Sequence, residues 1–227
     1  SDQEGVSAVA VADRQGPTAD PTVAGRAVTT FGAELFAAVR AGGDPDANLT
    51  ISPASVAVAL AMLESGATGE AATQLRQLLA IDDPAAYHAS MNALEQDLEA
   101  RTPDLVTSDL GDEKQDPGEV TIRLANAAYL QQGYPFQPAY LETIGANYGP
   151  ALNEVDFGPD PDAVAHAINA FVADATNDRI PQLVADGVIT PDTVLALVNA
   201  LYLKASWLDP FEATATADGS FTRADGT

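Results

Sequence analysis

The sequence predicts an α+β chain of helices and a large β-sheet, and three observations predict it. Thr193 to Trp207, TVLALVNALYLKASW, is apolar almost without break from Thr193 to Leu203, with Asn199 as its polar interior residue. Such a run, rich in Val, Leu and Tyr and entered through the Thr190-Pro191-Asp192 turn signal, reads as a strand covered on both faces in the middle of a sheet. Val120 to Gln131 alternates, with Val120, Ile122 and Leu124 on one side, as a long strand does. Ahead of both lie four stretches with helical spacing. A carboxamide at Asn199 must find partners inside the protein, since an unpaired buried amide costs on the order of 1–3 kcal/mol.

Residues 1–22 are rich in Ala, Asp, Gly and Thr, lack a sustained period, and are expected to form a disordered acidic leader; residues 23–227 read as one domain. Val28, Phe31, Leu35, Phe36 and Val39 mark an amphipathic helix from Val23, stopped at Gly42-Gly43. Leu49 to Ile51 has room only for a short strand. Ser52-Pro53 then opens a second helix, with Ser52 able to cap and Pro53 in the first turn. Val56 to Leu63 is apolar throughout, as befits a buried helix, and Gly66 stops it. A third helix spans about Thr68 to Leu79. A fourth runs from Pro84 to Ala100 with Met91, Leu94 and Leu98 on one face and acids opposite. Thr102 to Glu119, loaded with Asp, Gly and Pro, is a surface loop. After the strand to Gln131, Gly133-Tyr134-Pro135 makes a break, Pro138 to Tyr148 a short helix, Ala151 to Phe157 a strand, and Pro161 to about Thr176 another helix. Beyond Trp207, Thr214 to Phe221 suggests a strand and Asp225-Gly226 a turn.

Composition narrows function. With 33 acidic against 10 basic residues, a formal charge of −23, and only Lys114 and Lys204 as lysines, the chain is a poor phosphate binder, and nucleic acid is not an expected partner. Its apolar runs fall short of the roughly 18–20 residues that a membrane span requires. It has no cysteine, hence no disulfide, thiolate metal site or cysteine nucleophile. A surface this acidic suits a salty environment or reflects a GC-rich genome. The lack of an initiator Met and signal sequence fits a processed, secreted chain and fits a trimmed one equally.

Catalytic chemistry is thin. His88 and His166 lie inside expected helices away from any nucleophile or second ligand, where a histidine is most often superficial or satisfied. Metalloprotease, nucleophile-elbow, phosphate-loop and dinucleotide motifs are missing. The acid clusters Asp82-Asp83, Asp109 with Asp112 and Glu113, and Asp160 with Asp162 lack calcium-loop spacing and read as solvated surface. No cofactor or metal is implied. A hydrolase built on paired carboxylates leaves the chain's ordered motifs unexplained.

Those motifs carry a resemblance. Asn48 to Val56, NLTISPASV, continuing as ALAMLESGATGEAATQLRQLL, resembles the start of the second helix in the serpin family. Thr193 to Phe211, TVLALVNALYLKASWLDPF, resembles the third strand of that family's main sheet and the tryptophan after it. Between them lie Leu124-Ala125-Asn126-Ala127 with Tyr129 and Leu130, Val155-Asp156-Phe157, and Ile168 to Val172 followed by Thr176 to Ile180. All five stand in family order. The resemblance spans about Val23 to Thr227, the N-terminal half to two-thirds of such a domain. The chain departs from it at Ala205-Ser206, where Gly often precedes the tryptophan, and at Asp178-Arg179, where Gly-Lys is common; Asp tolerates left-handed backbone and Arg keeps the charge.

The resemblance implies an incomplete serpin fold, α+β with helices packed around a large mixed β-sheet and without the C-terminal strands and the reactive-centre loop, and a protease inhibitor rather than an enzyme. Members trap serine, sometimes cysteine, proteases: the loop is cleaved, then enters the main sheet as a new strand with the acyl-enzyme attached. It places Ser52, Ser55 and Asn199 in a shutter beneath the parting sheet, and Trp207 at the breach where insertion starts. More simply, Ser52 caps its helix, Asn199 satisfies backbone, and Trp207 packs in a core. The implied partners are a serine protease, reached through the absent loop, and a complementing C-terminal segment. Alternatives on the same scaffold are a non-inhibitory carrier, chaperone or storage protein and an inactive fragment. By themselves the 227 residues are expected to self-associate through strand 193–204 or to need that segment.

Overall fold

The computed structural model describes residues 6–9, 13–44, 46–104, 121–205, 207, 211–220 and 222. Among these residues six helices surround one four-stranded sheet. The strands are β1 (Val6–Ala8), β2 (Thr121–Gln131), β3 (Ala151–Val155) and β4 (Leu195–Lys204). Their order across the sheet is β1-β3-β2-β4, with β2 parallel to β3 and the two outer pairings antiparallel.

The helices are α1 (Pro21–Gly42), α2 (Pro53–Glu64), α3 (Gly69–Leu78), α4 (Pro84–Asp104), α5 (Pro138–Tyr148) and α6 (Pro161–Ala175). Five of the six begin on proline, where the missing N–H is no loss and the fixed φ already suits a helix. Carboxylates or a hydroxyl cap most of these starts: Asp20 Oδ1 accepts from Thr22 N at 2.9 Å, Asp160 Oδ1 from Ala163 N at 2.9 Å, and Ser52 Oγ from Ser55 N at 3.5 Å. These short-range rules make the helix starts legible within two residues.

Strand alternation divides the core in two. On one face Ala128, Leu130, Leu152 and the inward residues of β4, Leu195 and Leu197, pack on α1, α2, α4 and α5 through Phe31, Val58, Met62, Met91 and Ile144. On the other, Ala127, Tyr129, Val155, Val198 and Ala200 pack with Phe157 against α6 through Val164, Ile168 and Val172. β2 is therefore the strand covered on both sides.

Several expectations are corrected. β4 is an edge strand, half-buried along much of its length, because no strand lies beyond it among the described residues. Part of the leader is ordered: Val6–Ala8 extend the sheet beside β3, and Gln15 N donates to Ala146 O at 2.8 Å. Leu49–Ile51 is not a strand. Where a strand was expected from Thr214, the chain has a single 3₁₀ turn at Ala213–Ala215. Most of the Thr102–Glu119 loop, and the Asp225-Gly226 turn, fall outside the described residues. The Asn177-Asp178 turn is left-handed at both positions, φ 49° and 58°, so Asp178 adopts the backbone that glycine commonly supplies there.

Candidate conformational-switch site

Asn199 sits directly opposite Asn126 in the β2–β4 ladder, and both side chains face the helix layer. Asn199 Nδ2 donates to Asn126 Oδ1 at 2.7 Å. Asn126 Nδ2 in turn donates to the Tyr148 carbonyl at 3.1 Å and lies 3.3 and 3.4 Å from the two carboxylate oxygens of Glu95. Asn199 Oδ1 is buried and has no partner among the described residues. A satisfied amide therefore bolts β2 to α4 and to the end of α5, while the next amide along has a free acceptor on the β4 side.

Glu95 is 1% exposed. Arg14, from the segment ahead of α1, forms an ion pair with its Oε2 and donates through Nε to Asn92 Oδ1 at 2.8 Å. Burial pushes the Glu95 carboxyl up to about 7, although Arg14 and Asn126 pull it down. Desolvation is the larger influence because the carboxylate is buried and its countercharge is half-exposed.

A second polar chain lies alongside. Burial holds the Tyr148 phenol well above its ordinary range and His88 below its own, so a neutral phenol donates to a neutral imidazole: Tyr148 Oη to His88 Nδ1 at 2.6 Å. His88 Nε2–H then donates to Glu64 Oε2 at 3.0 Å, and Arg76 Nε donates to Glu64 Oε1 at 2.6 Å. The set looks like a catalytic relay but is sealed, since Glu64, His88 and Tyr148 are all buried and no substrate can reach the phenol. It joins α2, α3, α4 and α5.

The expected site residues are brought together only in part. Ser52 and Ser55 share a hydroxyl–hydroxyl bond of 2.9 Å at the start of α2, with Ser52 exposed and Ser55 half-buried. Among the described residues no hydrogen bond connects them to Asn199, although α2 packs against β4. Trp207 is 75% exposed and meets Phe211 edge-on with ring centroids 6.4 Å apart. Among the described residues it is not packed in a core.

The family model for Serpin, serine protease inhibitor, matches residues 26–227. This chain belongs to the serpin family. A leukocyte elastase inhibitor of Sus scrofa is 32% identical over 193 residues, covering 85% of this chain and 47% of that protein. Serpin-Z2A of Oryza sativa is 34% identical over 185 residues, 82% of this chain and 41% of its own length. The chain thus spans about half the length of the curated relatives it matches. Two solved structures share the fold: Arabidopsis AtSerpin1 in its native stressed conformation (TM-score 0.67, 24% identity, 88% of this chain and 48% of that one) and ovalbumin from emu (0.69, 24%, 87% and 50%). The partial serpin fold expected from the sequence is the fold found.

Sequence reasoning did not place Asn126, Glu95 or Arg14 in the candidate site. Asn126 carried the signal that singled out Asn199, a carboxamide inside an apolar strand. Glu95 lies four residues after Met91 on the inner side of α4, so the division of that helix into an apolar face and an acidic one fails there. Arg14 had no signal, since it sits in a segment without period and its partner is distant in sequence.

Proposed function

We propose that this chain is the sheet-parting portion of a suicide-substrate inhibitor of serine proteases. The edge of β4 carries the proposal: ten residues, Leu195–Lys204, paired on one side only among the described residues, with an Asn199 oxygen that has no partner among them beneath and exposed Leu203 at one end. A strand entering there gains a ladder of hydrogen bonds and apolar cover together, which makes insertion strongly downhill. The occupants are a C-terminal segment of the domain and, after cleavage, the reactive-centre loop.

In this role Asn199 and the Ser52–Ser55 pair form the shutter. Hydroxyls and carboxamides exchange partners without leaving a buried charge, so they can let a sheet part and close again. Asn126 belongs with them as the fixed side of the pair. Trp207, exposed at the far end of β4, marks the breach and awaits cover by an inserting strand. The leukocyte elastase inhibitors among the relatives fit a protease as target. Among the described residues no helix is long and apolar enough to cross a membrane.

The test joins the 227 residues to the remainder of their reading frame and incubates the product with a trypsin-like and a subtilisin-like protease. An SDS-stable adduct of inhibitor and protease is expected. Loop cleavage without an adduct would make the protein a non-inhibitory serpin scaffold.

A further inference from the structure

The segment 13–20 lies ahead of the residues matched by the family model, yet it is tied down along its length. Gln15 O accepts from Asn92 Nδ2 at 3.0 Å and from Gln96 Nε2 at 2.8 Å, while Gln15 N reaches the Ala146 carbonyl of α5 at 2.8 Å. Ser90 Oγ donates to the Asp20 carbonyl at 2.6 Å and accepts from Ala24 N at 2.9 Å. Gly149, at φ +50°, leaves room for the Arg14 stem: a Cβ there would come within 2.8 Å of Arg14 Cδ. So α4 and α5 form a cleft whose polar groups match an extended backbone bearing one arginine.

At the floor of the cleft the contacts run without a gap to the sheet: Arg14 to Glu95, Glu95 to Asn126, Asn126 to Asn199. We propose that the segment 13–20 is a latch on the β2–β4 seam, its Arg14 seated in the α4–α5 cleft so that Glu95 stays fixed as the acceptor for Asn126. Withdrawing Arg14 strips Glu95 of the one cation bonded to it among the described residues apart from solvent. Left without a countercharge, the buried carboxylate turns toward water, so Asn126 loses its acceptor atoms and its hold on Asn199 loosens. The latch rests on these contacts alone and holds whether or not the protein traps a protease. It gives the segment a role beyond that of a leader, as a cis-acting control on sheet opening that a competing arginine peptide or proteolytic trimming can release.

The test is hydrogen exchange on the full chain at about pH 8, where Glu95 is mostly ionised. In Arg14→Ala, the amides of β2 and β4 flanking Asn126 and Asn199 are expected to exchange about ten-fold faster, with those of α3 and α6 changed less than about two-fold. Adding Glu95→Gln to Arg14→Ala is expected to recover most of the protection, because a neutral acceptor needs no cation. Arg14→Lys keeps the charge without the fork and is expected to fall between, which serves if the alanine variant does not fold. Acceleration confined to residues 6–20, or spread evenly over all elements, would overturn the latch.

Discussion

The two ends of the β2–β4 pair share one unbroken ladder and differ in everything around it. Toward the bottom, Ala127 to Leu130 of β2 are buried between both helix layers, and Phe157 closes the core beside them at 0% exposure. Toward the top, Leu203 is 62% exposed, Trp207 75% and Phe211 87%. Backbone hydrogen bonds are present at both ends, so they are not what seals a strand. Cover on each face does that, and α2 and α5 below with α6 above supply it only to the lower part. Among the described residues the sheet is therefore covered on both faces at its lower end only.

The sharpest contrast is between two truncations. Phe157→Ala empties a filled core position and is expected to cost about 3–5 kcal/mol. Leu203→Ala, at the open end, is expected to cost less than about 0.5 kcal/mol. Denaturant unfolding of both variants checks this, and comparable losses would show that the upper end is covered in solution.

Next in size is the pH response of the sealed end. Glu95 has its folded-state pKa raised from 4.5 to about 7, so its contribution to stability is fully present below about pH 4.5 and is lost as pH rises through 7, a change of about 3 kcal/mol. The groups around it are Arg14 and Asn92 in the cleft, Glu99 on α4, Asn126 on β2 and Tyr148 at the end of α5. Glu95→Gln cannot ionise. Its stability relative to the parent is therefore expected to improve by about that amount between pH 4.5 and 8, with every other carboxylate cancelling in the difference. A flat difference would mean that Arg14 keeps Glu95 charged throughout, against the pull of burial.

What the sequence disclosed follows the same division. Four helix starts were legible because Pro53, Pro84, Pro138 and Pro161 act within a turn of themselves, and the strands at 121–131 and 195–204 because apolar patterning is local; Pro21 was counted with the leader, so the first helix was read only from Val23. The edge status of β4 among the described residues was not legible in the apolar run, which looks the same with one neighbour or two; it followed only from the family resemblance and its missing later strands. Among site residues, Asn199 was visible as a polar interruption, and Asn126 was equally visible but went unused. Glu95 and Glu64 were hidden because their burial depends on which helices meet, His88 was read as superficial or satisfied but without its partners, and Arg14 was hidden because its partners lie 78 and 81 positions away.

A smaller effect than the Phe157 truncation or the pH response bears most on the shutter. Asn199→Ala removes the 2.7 Å bond to Asn126 and leaves Asn126 Oδ1 without its donor, a loss of about 1–3 kcal/mol, but it also removes the unpartnered Asn199 Oδ1, which offsets part of that loss. The net change in stability is expected to be about 1 kcal/mol. Val198→Ala, on the opposite face of the same strand and facing α6, is a fitting control, because it thins the core by a comparable amount without touching the amide pair. If the Asn126–Asn199 bond holds the seam closed, the Asn199 variant of a complete protein will polymerise faster than the Val198 variant at denaturant concentrations that equalise their stabilities. Equal rates would mean that polymerisation follows global stability, and Asn199 would then be a buried amide with an ordinary structural job.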